Sequence, residues 1–138
     1  MALIVDTSVL YAAIHDRDRD HARCAALIGE SDELLVLPSP ILPEVDYLVA
    51  REGRPEATVR LLGDVEDGSF LVEDLEYEDY ARIASLLKTY GDLDVGFVDA
   101  AVLAIVERLG ERKLATLDHR HFGAMRPRHV EALELLPS

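Results

Sequence analysis

The run Ala2-Leu-Ile-Val5 is wholly apolar and stops abruptly at Asp6-Thr7-Ser8. A strand with no polar alternation needs cover on both faces, which points to a parallel sheet sandwiched between helices. The pattern recurs along the chain. Leu34–Leu37, Phe70–Val72 and Lys113–Thr116 read as further strands, and Leu133–Leu136 as an edge strand. Between them lie helical stretches with their own stop signals: Val9–Ile14, His21–Ile28 before Gly29, Pro55–Val65, Tyr77–Thr89 before Tyr90-Gly91, and Val98–Leu109 before Gly110. One more runs from Pro40 to Glu52, with Ser39 as its expected cap and Pro40 at its first position. Asp118–Phe122 reads as a turn or short helix.

Strands alternating with helices predict an α/β fold of three layers, helices on both faces of a central, mostly parallel sheet of four to five strands. No repeat or Gly/Ser linker interrupts the chain, so residues 1–138 read as one domain. In such sheets ligands bind beyond the carboxyl ends of the strands, where the strand order reverses. Asp6 and Asp118 each follow an apolar strand directly and should reach that crevice.

Charge narrows the functional classes. Lys+Arg 14 against Asp+Glu 27 leaves a formal charge of −13. Such a chain repels nucleic acid at long range, so its carboxylates should meet cationic partners or hold a divalent metal. The charge is also uneven. Asp64, Glu66, Asp67, Glu73, Asp74, Glu76, Glu78 and Asp79 form a block with no Lys or Arg between them. From Arg108 to His129 the balance reverses, with Arg108, Arg112, Lys113, Arg120, Arg126 and Arg128 facing only Glu111 and Asp118. The single cysteine, Cys24, excludes an internal disulfide and a cysteine-based zinc site. No apolar run approaches the ~20 residues of a membrane span, and Met1–Leu3 lacks a basic leader. The expectation is a soluble cytoplasmic protein without a membrane role.

Acids that interrupt apolar context are the expensive ones. Asp6 ends a buried strand, where helix capping is the simplest use of an Asp. Asp99 lies in the middle of its helix's apolar stripe, with Val102, Leu103 and Val106 on the same side and Arg108 opposite. The helix dipole contributes about 0.3–1 kcal/mol there, less than the several kcal/mol an unpaired buried ion costs, so Asp99 needs a cationic partner. Glu44 and Asp46 flank the apolar face of their helix on opposite sides, and periodicity does not choose between them. Asp118 reads as a cap before a short helix, while the Thr116 hydroxyl and basic neighbours suggest a phosphate-contacting edge. His119 and His121, two apart, match neither one helix face nor common zinc spacings. No P-loop, GxGxxG, GxSxG or Cys/His nucleophile pair is present. Four carboxylates from separate elements are thus placed to meet at one sheet edge. Hard oxygen ligands of that kind select Mg²⁺ or Mn²⁺, and the chemistry that suits them is phosphodiester hydrolysis.

The order of motifs is familiar. Leu3-Ile-Val-Asp-Thr-Ser8, Pro43-Glu-Val45 inside a helix, Val98-Asp-Ala-Ala101 and Ala115-Thr-Leu-Asp118 together resemble a PIN domain. Asp118-His-Arg-His-Phe122 followed by Arg126-Pro127 narrows the resemblance to the VapC-type ribonuclease toxins of type II toxin–antitoxin pairs. The resemblance spans nearly the whole chain. It implies that Asp6, Glu44, Asp99 and Asp118 bind Mg²⁺ or Mn²⁺ in a metal-dependent endoribonuclease, with Glu44 rather than Asp46 as the second acid. It also implies that Thr7 or Ser8 orients the first carboxylate or contacts the metal's water. A homodimer acting on structured RNA, tRNA or ribosomal RNA, and neutralised by a cognate VapB-type antitoxin, follows from the same likeness. Cationic antitoxin side chains would give the −13 charge a use. Some relatives carry another acid two places beyond the fourth Asp, where this chain has Arg120. Asp92 and Asp94 either extend the acidic site or are solvated loop charges. Arg120, Arg126 and Arg128 are candidate RNA-backbone contacts, with surface solubility as the competing role. Two other classes stand beside the nuclease: a non-catalytic acidic α/β interaction module, and a phosphoryl-acceptor module. The latter usually places a second acid near the strand-end Asp, and Asp6-Thr-Ser has none.

Overall fold

Ala2–Val5 form strand β1, and none of the four residues is more than 7% exposed. In the computed structural model, which describes residues 1–138, four more strands join it: β2 (Leu34–Pro38), β3 (Leu71–Glu73), β4 (Lys113–Ala115) and β5 (Glu134–Leu136). The order across the sheet is β3-β2-β1-β4-β5 and every pairing is parallel. Helices α1 (Thr7–Ile14) and α2 (His21–Gly29) carry the chain from β1 to β2, and α3 (Ile41–Arg51) and α4 (Glu56–Glu66) from β2 to β3. The return crossing to β4 uses α5 (Tyr77–Tyr90), a 3₁₀ turn at Gly91–Leu93 and α6 (Phe97–Leu109), and α7 (His119–Ala124) leads to β5.

This order explains the layers. The chain steps outward from β1 to β3, then crosses back to the far side of β1. Right-handed crossovers therefore put α1–α4 on one face and α5–α7 on the other, and the helix packing groups them in that way. The switch point falls between β1 and β4, where Ile4 pairs with Leu114 and Val5 with Ala115. One core of 29 buried residues fills both layers, and α6 is its most buried helix, with every residue from Ala100 to Val106 inside. No helix is long and apolar enough to cross a membrane.

Several boundaries differ from expectation for local reasons. Ser39 does not cap α3 through its side chain. The helix begins at Ile41 after Pro40, and it is the Ser39 carbonyl that accepts the Leu42 N–H. Phe70 is buried just ahead of β3 rather than within it. Thr116 lies past the end of β4, although its N–H still donates to the Leu136 carbonyl at 2.8 Å. Gly110 closes α6 in the left-handed region at φ 69°, the conformation for which a residue without Cβ is suited.

Candidate metal centre

Asp6 continues the β1–β4 ladder, its N–H donating to the Ala115 carbonyl at 2.9 Å. Its side chain makes no cap to α1. Instead Oδ2 accepts from the Thr116 hydroxyl at 2.8 Å and from the Ser8 hydroxyl at 3.4 Å. Oδ1 is buried and has no hydrogen-bond partner. Burial pushes the Asp6 carboxyl up to about pH 7; the Thr116 hydroxyl and the Thr7 backbone oppose this, while the charges of Asp99 and Glu44 add to it.

The second carboxylate comes from the opposite layer. Gly96 precedes α6, so Asp99 is its third residue and half-buried. Burial and the neighbouring Asp118 raise its pKa, against the pull of His121 and the Gly96 backbone. Asp118 caps α7, accepting the His121 N–H on Oδ1 at 3.1 Å. Its Oδ2 meets His121 Nδ1 at 2.7 Å, while His121 Nε2 meets the Leu93 carbonyl at 2.7 Å. Both ring nitrogens face oxygens that only accept, so the geometry requires both to carry protons. The hydrogen bond to Asp118 is the main reason the His121 pKa is raised. The same imidazolium lies 3.5 Å from Asp99 Oδ2. Asp99, Asp118 and His121 each bring one possible ligand atom within 4.8 Å of the others.

Glu44 stands at the exposed rim on α3, its Oε1 accepting from the Thr7 hydroxyl at 2.6 Å. Asp46 turns the other way and accepts from Thr58 on α4 at 2.7 Å. The pair that periodicity left tied is separated by which threonine each one meets. The supporting hydroxyls also divide their work. Ser8 accepts the Leu117 N–H at 2.9 Å as well as approaching Asp6, so it ties β1 to the β4 turn. Thr116 is fully buried and accepts the Asp118 N–H at 3.0 Å while donating to Asp6. Where it sits, its hydroxyl cannot reach a phosphate.

His121 was not among the expected site residues. Its i,i+2 spacing to His119 carries no signal, and His119 indeed turns away to the Thr116 carbonyl at 3.0 Å. The informative spacing was Asp118 to His121, three apart across a cap, which places a side chain back over its own N-cap. Asp92 and Asp94 are exposed in the turn before α6, apart from the Asp99–Asp118–His121 group. Arg120, Arg126 and Arg128 are exposed too, and no ion pair engages them.

The residues present fit a divalent cation. Asp6 offers an unpartnered oxygen in a place where an ionised carboxylate is costly, and the donors are hard oxygens of the type that Mg²⁺ and Mn²⁺ prefer. The site sits at an open sheet edge rather than in a deep cavity. The largest recess, about 420 Å³, lies elsewhere, between α1, α2 and α4, and is lined mainly by apolar side chains such as Leu10, Ile14, Ile28, Leu61 and Phe70.

Known proteins share this fold. The family model "PIN domain" matches residues 3–126. Ribonuclease VapC26 of Mycobacterium tuberculosis is 32% identical over 125 residues, which cover 91% of this chain and 93% of that protein. Among solved structures, the VapC20 toxin of Mycobacterium tuberculosis, described as cleaving the sarcin-ricin loop, superposes with a TM-score of 0.81 at 20% identity, covering 94% of this chain and 98% of that one. VapBC2 of Rickettsia felis, bound to a DNA fragment from its promoter, superposes at 0.69 and 17% identity over 98% of both chains. With a family model spanning most of its length and a VapC relative at that identity, this chain belongs to the PIN-domain family and, within it, to the VapC proteins.

Proposed function

We propose that this protein is the toxin of a VapBC-type pair, an endoribonuclease that hydrolyses phosphodiester bonds in structured RNA, tRNA or ribosomal RNA. In this reading a cognate VapB-type antitoxin holds it inactive and the toxin assembles as a homodimer. The observation that carries the reading is the approach of Asp99 and Asp118, with ligand atoms within 4.8 Å of each other, beside the buried Asp6 at the end of β1, which feels the charge of Asp99 and has one carboxylate oxygen left bare. Asp6, Asp99 and Asp118, with Glu44 at the rim, would hold Mg²⁺ or Mn²⁺. When bound, such an ion supplies Lewis-acid activation of water and neutralises phosphate charge.

The chain's own groups set up that chemistry. Thr116 and Ser8 occupy Asp6 Oδ2, which fixes the carboxylate plane and leaves Oδ1 aimed away from them. Thr7 restrains Glu44, which otherwise stands exposed on α3. His121 carries a proton on Nδ1 that it donates to Asp118 Oδ2, so the cap is oriented before any substrate arrives. The exposed guanidiniums of Arg120, Arg126 and Arg128 are suited to the RNA backbone, offsetting locally the repulsion expected from a net charge of −13.

The test is cleavage of labelled tRNA and ribosomal RNA with Mg²⁺, Mn²⁺ or EDTA. Activity should need the ion and fall by more than about 100-fold in Asp99→Asn. The same variant should melt above the wild type in EDTA, because ionising Asp99 is unfavourable where it sits. Cleavage retained in Asp99→Asn, together with a lower melting temperature, would overturn the assignment.

A further inference from the structure

Residues Met125 to Leu133 lie outside any helix or strand, so something other than a ladder must hold them. Met125 and Pro127 are buried, whereas Arg126 and Arg128 between and beyond them are exposed. The backbone of this stretch is held by side chains of the α5–α6 hairpin. Arg126 N–H donates to the Tyr90 hydroxyl at 2.9 Å, and the Arg126 carbonyl accepts from Arg82 Nη2 at 3.3 Å. Arg128 N–H donates to Glu107 Oε2 at 2.8 Å. Arg82 and Glu107 in turn form a bidentate pair, Nε to Oε1 at 2.8 Å and Nη2 to Oε2 at 2.9 Å, with side chains only 14% and 8% exposed. An ion pair so little exposed adds little stability over an apolar pair of the same size. What an apolar pair would lack is a donor for the Arg126 carbonyl and an acceptor for the Arg128 N–H.

The hairpin that provides these holds also serves the acidic site. Tyr90 is followed directly by the Gly91–Leu93 turn, whose Leu93 carbonyl takes His121 Nε2. Glu107 lies on α6, two turns beyond Asp99. The hairpin therefore carries Asp99, holds Asp118 through His121, and holds the backbone of the two arginines. We propose that Tyr90, Arg82 and Glu107 are positioning residues for RNA binding, which hold the Arg126-Pro127-Arg128 backbone so that both guanidiniums face the phosphates of a substrate held at the acidic site. The proposal rests on the ribonuclease reading above. It adds that the arginines act only while the hairpin grips their backbone.

The experiment measures binding of a fluorescein-labelled RNA hairpin in EDTA by anisotropy across a NaCl series, alongside kcat and KM for cleavage of tRNA with Mg²⁺. Each phosphate contact contributes about 0.7–0.9 to the slope of log affinity against log salt, so Arg126→Ala with Arg128→Ala should flatten it by about 1.4–1.8. Tyr90→Phe and Glu107→Gln leave both guanidiniums in place, yet each should flatten the slope and raise KM several-fold with kcat nearly unchanged. A merely structural role would lower the melting temperature without moving the salt slope. Tyr90→Phe removes one oxygen and no packing volume, so it decides the matter even where Glu107→Gln does not fold. If both variants keep the wild-type slope while the double arginine variant loses it, the positioning proposal falls and the arginines stand as contacts. If the double variant also keeps the wild-type slope, the segment has no RNA role and the proposal falls with it. Wild-type protein that neither binds nor cleaves RNA would sink the underlying reading itself.

Discussion

Asp6 has two unlike oxygens. Oδ2 is satisfied by Thr116 and Ser8, and Oδ1 is buried with nothing to accept from. A free carboxyl of this type titrates near 3.8, and here burial lifts it to about 7. One pKa unit corresponds to 1.36 kcal/mol, so the ionised form is disfavoured by about 4 kcal/mol. Asp6→Asn keeps the shape and an acceptor for Thr116 but has no charge to bury. We expect it to raise the melting temperature at pH 8 in EDTA by several degrees, to lose the gain on addition of Mg²⁺ or Mn²⁺, and to abolish cleavage. Differential scanning fluorimetry with and without the ion reads all but the last. A variant that melts below the wild type in EDTA would mean that Asp6 is already compensated within the chain. His121 works in the same neighbourhood with the opposite charge, as a cation between Asp118 and Asp99.

Between elements, one polar join is the grip of α6 on the β3–α5 turn. Arg108 reaches Glu73, Glu76 and Asp79 and also donates to the Asp74 carbonyl at 2.9 Å. Asp79 is only 3% exposed and closes a capping box with Glu76 at the start of α5. Arg108→Met would strand the Asp79 charge, at a cost of about 3 kcal/mol. For 138 residues that should lower the melting temperature by roughly 10 °C, and Asp79→Asn in the same chain should recover part of it. A shift of under two degrees in the single variant would show the cluster to be solvated. This join also marks the limit of sequence reading. The strands were visible because apolar runs ended on sharp polar stops, and Asp6 and Asp118 stood out because they were those stops. No Lys or Arg lies within the acidic block from Asp64 to Asp79, and three of its acids, Glu73, Glu76 and Asp79, meet an arginine some thirty residues on, on the side of α6 opposite Asp99. His121 was hidden for a related reason: its role depends on a cap and on the Leu93 carbonyl, and neither contact has a periodic signature. The periodicity of α3 does not separate Glu44 from Asp46, whereas the resemblance chose Glu44 and the folded chain gives each acid its own partner, Thr7 for Glu44 and Thr58 for Asp46.

Across the whole molecule the titrations of the site act in one direction. Asp6 holds its proton to about pH 7 in the folded chain and to 3.8 when free, so the folded state binds more protons throughout that window and stability falls as pH rises through it. Asp99 is raised as well and has the same sign. His121 is raised above 6.5, so its contribution is fully present below that pH and is lost as pH climbs through its higher folded value. Most proteins are at their most stable between about pH 5 and 8, whereas this one, without metal, should decline across that interval. Asp6 alone contributes about 1.4 kcal/mol per pH unit while it titrates, so the melting temperature in EDTA should drop by roughly 10 °C from pH 5 to pH 8. A divalent cation reverses the sign, because it binds the ionised carboxylates and competes with their protons. At a hundredfold excess over its dissociation constant it adds about 2.7 kcal/mol, which would restore most of the loss at pH 8 and little at pH 5. Melting curves over a grid of pH and Mn²⁺ concentration test this directly. A melting temperature in EDTA that is flat or rises from pH 5 to pH 8, with no response to the ion, would mean that the Asp6 carboxyl at the β1–β4 switch point is not desolvated and holds no ion.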